Sequence, residues 1–292
     1  MKKVVYVTCG SLGAGHLVRG IGLARALERA GARFDFRIIS PIEAPGAMRE
    51  ALEPYGPTLC PVDSKEVLDP SRALGSKLAQ ALRAAKPDLL IVDLFWAPLL
   101  HIREQLSCDA WLLVRSCPPI WLVGNAQVRY LASQYQRVIG IEPVLHDEIR
   151  EHISPMVVCD RDDAKSRAAF CERFGADTNK EVVAISHAGL PGEIDKLKQA
   201  KDSGDISVVR LDLHQNDAVF PIAPWLANVD RVYCSAGYNS FWEAKWLGFA
   251  ERTTFSVFKR KIDDPLWRVK SNRDVVMHEN GADVLANMII KG

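Results

Sequence analysis

Val4-Val5-Tyr6-Val7-Thr8-Cys9-Gly10-Ser11-Leu12-Gly13-Ala14-Gly15-His16-Leu17-Val18-Arg19 runs from a short apolar stretch through three glycines into a helical pattern. The apolar stretch reads as a strand covered on both faces. Beyond the glycines, Leu17, Ile21, Ala24 and Leu27 recur at helical spacing, and Gly31 is placed to end that helix. A strand that enters a helix through glycines lets the backbone approach a ligand closely, next to the free N–H groups of the helix start. Such a turn suits a phosphate, a sugar or an oxyanion. It is no dinucleotide fingerprint: Gly13-Ala14-Gly15 is followed by His16-Leu17-Val18, and Ser40-Pro41 stands where an acidic residue would hold a ribose. His16, at the mouth of the turn, carries an imidazole suited to taking a proton near neutral pH. The same residues also suit a plain turn with a structural histidine.

Outward from this stretch, apolar runs alternate with amphipathic ones. Strand-like runs fall at Phe34–Ser40, Leu89–Leu94, Trp111–Val114, Val138–Ile141, Val182–Ser186, Val208–Leu211, Val232–Ser235 and Thr253–Phe258. Amphipathic stretches at Leu17–Ala30 and Ser76–Ala85 lie between them, and Val284–Ile290 reads as a closing helix. Alternation of this kind predicts an α/β fold with parallel sheets. The 292 residues suffice for two domains. The strand series pauses at a polar stretch, so the domains are placed at 1–150 and 151–292, with a linker near 143–160.

A net charge of +1, from 37 basic and 36 acidic residues, lacks the basic surplus of a nucleic-acid binder. Seven cysteines without CxxC spacing argue against a zinc site or a disulfide framework and for a reducing cytoplasmic setting. The opening apolar run is too short for a signal peptide, and no run of about 18 apolar residues exists to span a membrane.

A second constellation, Val232-Tyr233-Cys234-Ser235-Ala236-Gly237-Tyr238-Asn239-Ser240-Phe241-Trp242-Glu243, again runs from strand through loop to helix. Asn239 or Ser240 is expected to cap that helix. Backbone N–H groups from Gly237 to Ser240 suit a diphosphate, and Glu243, a turn further on, suits two ribose hydroxyls. Tyr238 and Trp242 read as packing. The loop at His187-Ala188-Gly189 follows the first strand of the second half and is a further phosphate candidate. Asp93, at the end of an apolar strand, either orients His16 or caps a helix.

At its two glycine loops the chain resembles GT-B glycosyltransferases, particularly the bacterial family that adds N-acetylglucosamine to lipid-linked peptidoglycan precursors. There a glycine loop and a histidine follow the first strand, as in Gly13–His16. A Ser/Gly loop, a helical Glu and a Leu-Gly follow in the second half, as in Ser235–Gly237, Glu243 and Leu247-Gly248. The segment Gly13-Ala14-Gly15-His16-Leu17-Val18-Arg19 also looks like the nucleotide-sugar hydrolases of pseudaminic acid synthesis, whose Gly-x-Gly-His-x-x-Arg start supplies a histidine that activates water. The resemblance implies two Rossmann-like domains facing across a cleft. It implies inverting, metal-independent glycosyl transfer without a cofactor, from a nucleoside-diphosphate sugar, UDP-sugars favoured. His16 would be the base. Gly13, Gly15, Arg19, His187, Gly189, Ser235, Gly237, Asn239, Ser240 and Glu243 would hold substrate. Asp264 would lie near the donor sugar, and Arg268 or Lys261 would neutralise the leaving diphosphate. A lipid-linked acceptor would bring the protein to a membrane surface. The chain departs from the family at Phe249-Ala250, where a proline is usual, and at Pro265, where an amide is expected. Water as acceptor, or sugar-nucleotide binding without turnover, are the alternative readings.

Overall fold

The computed structural model describes residues 1–8, 14–117, 122, 130–143, 149–190, 192–197, 203–215, 218–260 and 262–292. Gly13 and Lys261 lie outside the described residues. Seven strands form the first sheet: β1 (Lys2–Thr8), β2 (Phe34–Ser40), β3 (Thr58–Leu59), β4 (Leu89–Asp93), β5 (Asp109–Val114), β6 (Arg137–Gly140) and β7 (Glu151–His152). Their order is β3-β2-β1-β4-β5-β6-β7, and every pairing is parallel. The second sheet holds β8 (Glu181–His187), β9 (Ile206–Asp212), β10 (Arg231–Ser235) and β11 (Thr253–Ser256), ordered β11-β10-β8-β9 and again wholly parallel. Parallel central strands are covered by helices on both faces, which is why β4 is buried at every residue and reads as an apolar run up to Asp93. Two short strands, β3 and β7, give no apolar run of their own. Because Ile139 pairs with Glu151, the first sheet reaches into the polar stretch assigned to the linker.

In each sheet the order reverses once, between β1 and β4 and between β8 and β10. Loops leaving neighbouring strands in opposite directions open a crevice at such a switch point, outside the carboxyl ends of the strands. The helix Gly15–Arg29 follows β1, and the helix Tyr238–Trp246 follows β10. Both therefore begin at crevices. Gly31 ends the first helix at φ 67°, as its position in the sequence predicts.

The last helix, Gly281–Lys291, packs against Gly15–Arg29, and Arg29 reaches Asp283 at 2.5 Å. Leu17 and Ile21 from the first half share a buried cluster with Phe241, Trp242, Leu285 and Ile289 from the second. The two halves thus have a common core as well as their own.

Candidate active site

Asp93 ends β4, where it lies directly beside the end of β1, and its side chain is fully buried. The chain leaves it through Leu94 at φ 64°, a conformation that costs a branched residue about 1–3 kcal/mol and that gathers at functional sites. Three side chains converge on its carboxylate. Tyr6 OH donates at 2.6 Å, and Arg19 donates from Nε and Nη2 at 3.0 Å each. His16 Nδ1 lies 3.1 Å from Oδ2. Burial would raise the Asp93 carboxyl, yet Arg19 and then His16 hold it well below the usual carboxylate range. It is a carboxylate in place, not a helix cap.

His16 Nδ1 also lies 2.8 Å from Arg19 Nη2. A guanidinium only donates and a carboxylate only accepts, so the imidazole tautomer selects one contact. With its proton on Nδ1, His16 donates to Asp93 and keeps a lone pair on Nε2. With its proton on Nε2, Nδ1 accepts from Arg19. Burial pushes the imidazole down to about 4, with Asp93 opposing and Arg19 assisting, so His16 is unprotonated at neutral pH. The Phe95 ring meets the imidazole edge-on at 5.0 Å. Arg19, expected to hold substrate, is only 2% exposed and is committed to Asp93 and His16. It shapes the site through them.

Across from this cluster the helix Tyr238–Trp246 starts with Gly237 as its N-cap and no capping side chain. Neither Asn239 nor Ser240 caps it, contrary to the expectation from sequence, because both fall inside the first turn. The first-turn N–H groups consequently remain without a side-chain acceptor. Asn239 instead reaches over: its Nδ2 donates to Gly15 O at 3.1 Å, while its Oδ1 is buried without a partner. The two glycine loops thus touch. Ser235 and Ser240 flank Gly237, both half-buried.

Glu243 is 6% exposed, and no hydrogen bond or ion pair reaches its carboxyl among the described residues. Burial alone pushes it up to about 8. A buried carboxyl without partners is costly, and bound hydroxyls would satisfy it.

His187 ends β8 and is 2% exposed. Its Nε2 contacts Glu193 at 3.1 Å, and Glu193 also takes Arg260 at 2.6 Å. A Cβ on Gly189 would stand 2.6 Å from His187 Nε2, so this pair requires glycine there. The other ring nitrogen, Nδ1, is buried without a partner, and His187 lines a cavity of about 200 Å³ with Ser186, Asp212 and Ile222.

Asp264 and Arg268 are placed differently from expectation. Asp264 caps the helix Pro265–Ser271 by accepting from the Trp267 N–H at 2.9 Å. Arg268 is fully buried, and all five of its N–H donors are used. They go to Glu142 (2.9 Å twice), Asp263 (2.5 and 3.3 Å) and Ala236 O (3.2 Å). None is left for a diphosphate. Glu142 also accepts from Trp242 Nε1 at 2.6 Å and from the Ser116 N–H at 2.8 Å. Tyr238 OH donates to Ile141 O at 2.7 Å and accepts from the Met156 N–H at 2.8 Å. Glu142 lies in no motif of the sequence, although it stands just past an apolar strand as Asp93 ends one. Among the described residues no group of three His, Cys, Asp or Glu is arranged to hold a metal, and no helix is long and apolar enough to cross a membrane.

No family profile and no curated protein matches the sequence. The structure, in contrast, is similar to solved glycosyltransferases. Spinosyn forosaminyltransferase SpnP aligns with a TM-score of 0.57 at 13% identity, over 99% of this chain and 90% of that one. The UGT2 of Phytolacca americana, complexed with UDP-2-fluoro-glucose and pterostilbene, aligns with a TM-score of 0.56 at 13% identity, over 100% and 90%. A glycosyltransferase of Rickettsia africae aligns with a TM-score of 0.53 at 13% identity, over 99% and 87%. At such identities the likeness is one of fold. That fold is GT-B, two parallel-sheet α/β domains.

Proposed function

We propose that this GT-B chain moves a sugar from a nucleoside-diphosphate donor to an acceptor hydroxyl, with inversion and without a metal. One observation carries the reading. The buried His16–Asp93 pair stands at one crevice, and the neighbouring Gly15 touches the uncapped helix start that leads to Glu243, whose carboxyl has no partner among the described residues. The first arrangement is built to move a proton. The second offers what a nucleoside diphosphate needs: N–H groups for phosphate oxygens at Tyr238–Ser240 and a carboxylate for ribose hydroxyls at Glu243. The cavity beside His187 is room for more of the donor.

In this reading the acceptor O–H meets His16 Nε2. As the oxygen attacks the anomeric carbon, its proton passes to Nε2 and the bond to the diphosphate breaks. The imidazolium that forms sits against Asp93, whose negative charge is already in place. The diphosphate leaves toward the helix start, where partial positive charge lowers the cost of its departure. Arg19 keeps Asp93 ionised and fixed. UDP-sugars are the donors to try first, since the plant neighbour holds UDP-2-fluoro-glucose. Free thiols at the six described cysteines accord with a reducing cytoplasm.

The test is nucleotide release from a panel of nucleoside-diphosphate sugars, with and without acceptor alcohols. His16→Ala should slow turnover by about 10²-fold or more, with donor affinity little changed. Because His16 gains its proton only near pH 4, the rate should hold down to that pH and fall below it. Turnover untouched by His16→Ala would remove the histidine from the chemistry. Equal release of free sugar with and without acceptor would make water the acceptor.

A further inference from the structure

Among the described residues, the buried arginines Arg19, Arg115 and Arg268 lie near one another and differ in how well they are paired. Arg19 donates from Nε and Nη2 to Asp93, and Arg268 uses all five of its donors. Arg115, the residue after β5, is 9% exposed, yet among the described residues its only ion pair is with Asp263 Oδ2 at 3.4 Å. Asp263 is already held by Arg268 at 2.5 Å, and Arg115 Nε is buried with no acceptor. A guanidinium so deeply placed is ordinarily matched by acceptors, since burying its donors unmet is costly. Its location is informative too. Arg115 leaves the same row of strand ends as Asp93, and its charge is felt at His16, where it helps to lower the imidazole.

We propose that Arg115 is an anion contact at the reacting end of the cleft, reading a carboxylate or phosphate on the acceptor that His16 deprotonates. This rests on the glycosyl-transfer reading for the word acceptor, but not for the anion. Arg115 belongs to the first sheet, whereas the ribose and diphosphate have their own receptors in the second half, at Glu243 and the start of Tyr238–Trp246. An incoming carboxylate would accept from guanidinium donors that Asp263, already held by Arg268, leaves unmet. Neutral phenols or sugars would leave those donors unmet.

The experiment is calorimetric titration of the full chain, in the presence of UDP, with benzoate, phenyl phosphate and neutral methyl benzoate. The wild type should bind one or both anions about tenfold or more tightly than the ester, the usual worth of a charge-assisted hydrogen bond. Arg115→Met should abolish that preference, and Arg115→Lys should restore part of it. Arg115→Met should also bind UDP within about twofold of the wild type and melt at the same or a higher temperature, because it removes an underpaired buried charge. Equal affinity for acid and ester in the wild type, or a preference that survives Arg115→Met, overturns the proposal. Loss of UDP binding in Arg115→Met moves Arg115 to the donor diphosphate and overturns the acceptor assignment. A marked drop in melting temperature makes it a structural partner of Asp263 and also overturns it. Failure of the wild type to bind UDP would count against glycosyl transfer alone, since the acid-to-ester comparison can be run without UDP.

Discussion

Glu243 shows how a single residue can report a function through its cost to stability. Its carboxyl is pushed up to about 8 by burial, against an ordinary value of 4.5. Between those two values the folded protein holds a proton that the unfolded chain has released. Stability therefore falls as pH rises through this window, and the penalty stops growing above about pH 8. His16 acts in the opposite direction lower down: its depressed value makes stability fall as pH drops from 6.5 toward 4. Glu243→Gln removes only the first effect. The variant should match the wild type near pH 5 and exceed it by a few kcal/mol at pH 8 in urea denaturation. Above about pH 8, where the wild-type carboxyl is ionised, the variant should also bind UDP about tenfold more weakly, because a charge-assisted acceptor for hydroxyls is gone. Greater stability together with weaker binding marks a residue kept for a ligand. Undiminished UDP affinity would mean the carboxyl has another purpose.

Among the elements, the helices Gly15–Arg29 and Tyr238–Trp246, which follow β1 and β10, both start without a side-chain cap. Helices Lys77–Ala85, Arg167–Phe174 and Gly281–Lys291 start with a Ser or Asn side chain accepting a first-turn N–H. The helix Tyr238–Trp246 starts with glycine and accepts nothing. Gly237 has φ −62° and ψ 158°, which any residue can adopt, and a Cβ there would meet nothing nearer than Ser235 Oγ at 3.8 Å. Glycine at this position is thus neither a backbone nor a packing necessity. Gly237→Asp should cap the helix and complement its dipole, raising stability by about 0.5 kcal/mol. It should also place a carboxylate where the diphosphate is to lie. Thermal melts should show the gain, and titration with UDP should show affinity reduced by at least about a hundredfold. An aspartate variant that still binds UDP as before would place the phosphates elsewhere. This helix start was visible in the sequence as strand, glycine and polar residues. Its missing cap was not, since Asn239 and Ser240 are good capping types that come two and three residues too late.

At the scale of the molecule, the two halves are joined by buried charge as well as by shared core. Arg268 ties Glu142 of the first half to Asp263 and Ala236 O of the second, and Trp242 and Tyr238 add hydrogen bonds to the strand end beside it. Breaking such a network by deleting one partner leaves opposite charges stranded, at a cost of roughly 3–5 kcal/mol. Wild-type unfolding should be one cooperative transition. Arg268→Met should lose about that much stability and separate the halves into two transitions in differential scanning calorimetry. Adding Glu142→Gln should recover part of the loss, the signature of a coupled pair. A lone Arg268→Met with an unchanged single transition would show that apolar contact alone unites the halves.

The central strands and the helices that follow β1 and β10 were determined by the sequence alone, because unbroken apolar runs and helical spacing are local patterns that burial on both faces imposes. Both glycine loops, His16 and Glu243 were legible for the same reason: each stands at a fixed distance from a strand end. Only the tertiary structure decided which of the charged residues face one another. It brought Asp93 to His16 through the pairing of β1 with β4, gave Arg19 to that pair, turned Arg268 inward to hold the fold, and made Asp264 a helix cap. It also left Arg115 Nε without an acceptor among the described residues. Side-chain pairing across 74 or 126 residues of chain leaves no trace in local spacing, because it depends on which strands lie side by side and on how two separately formed halves share one buried surface.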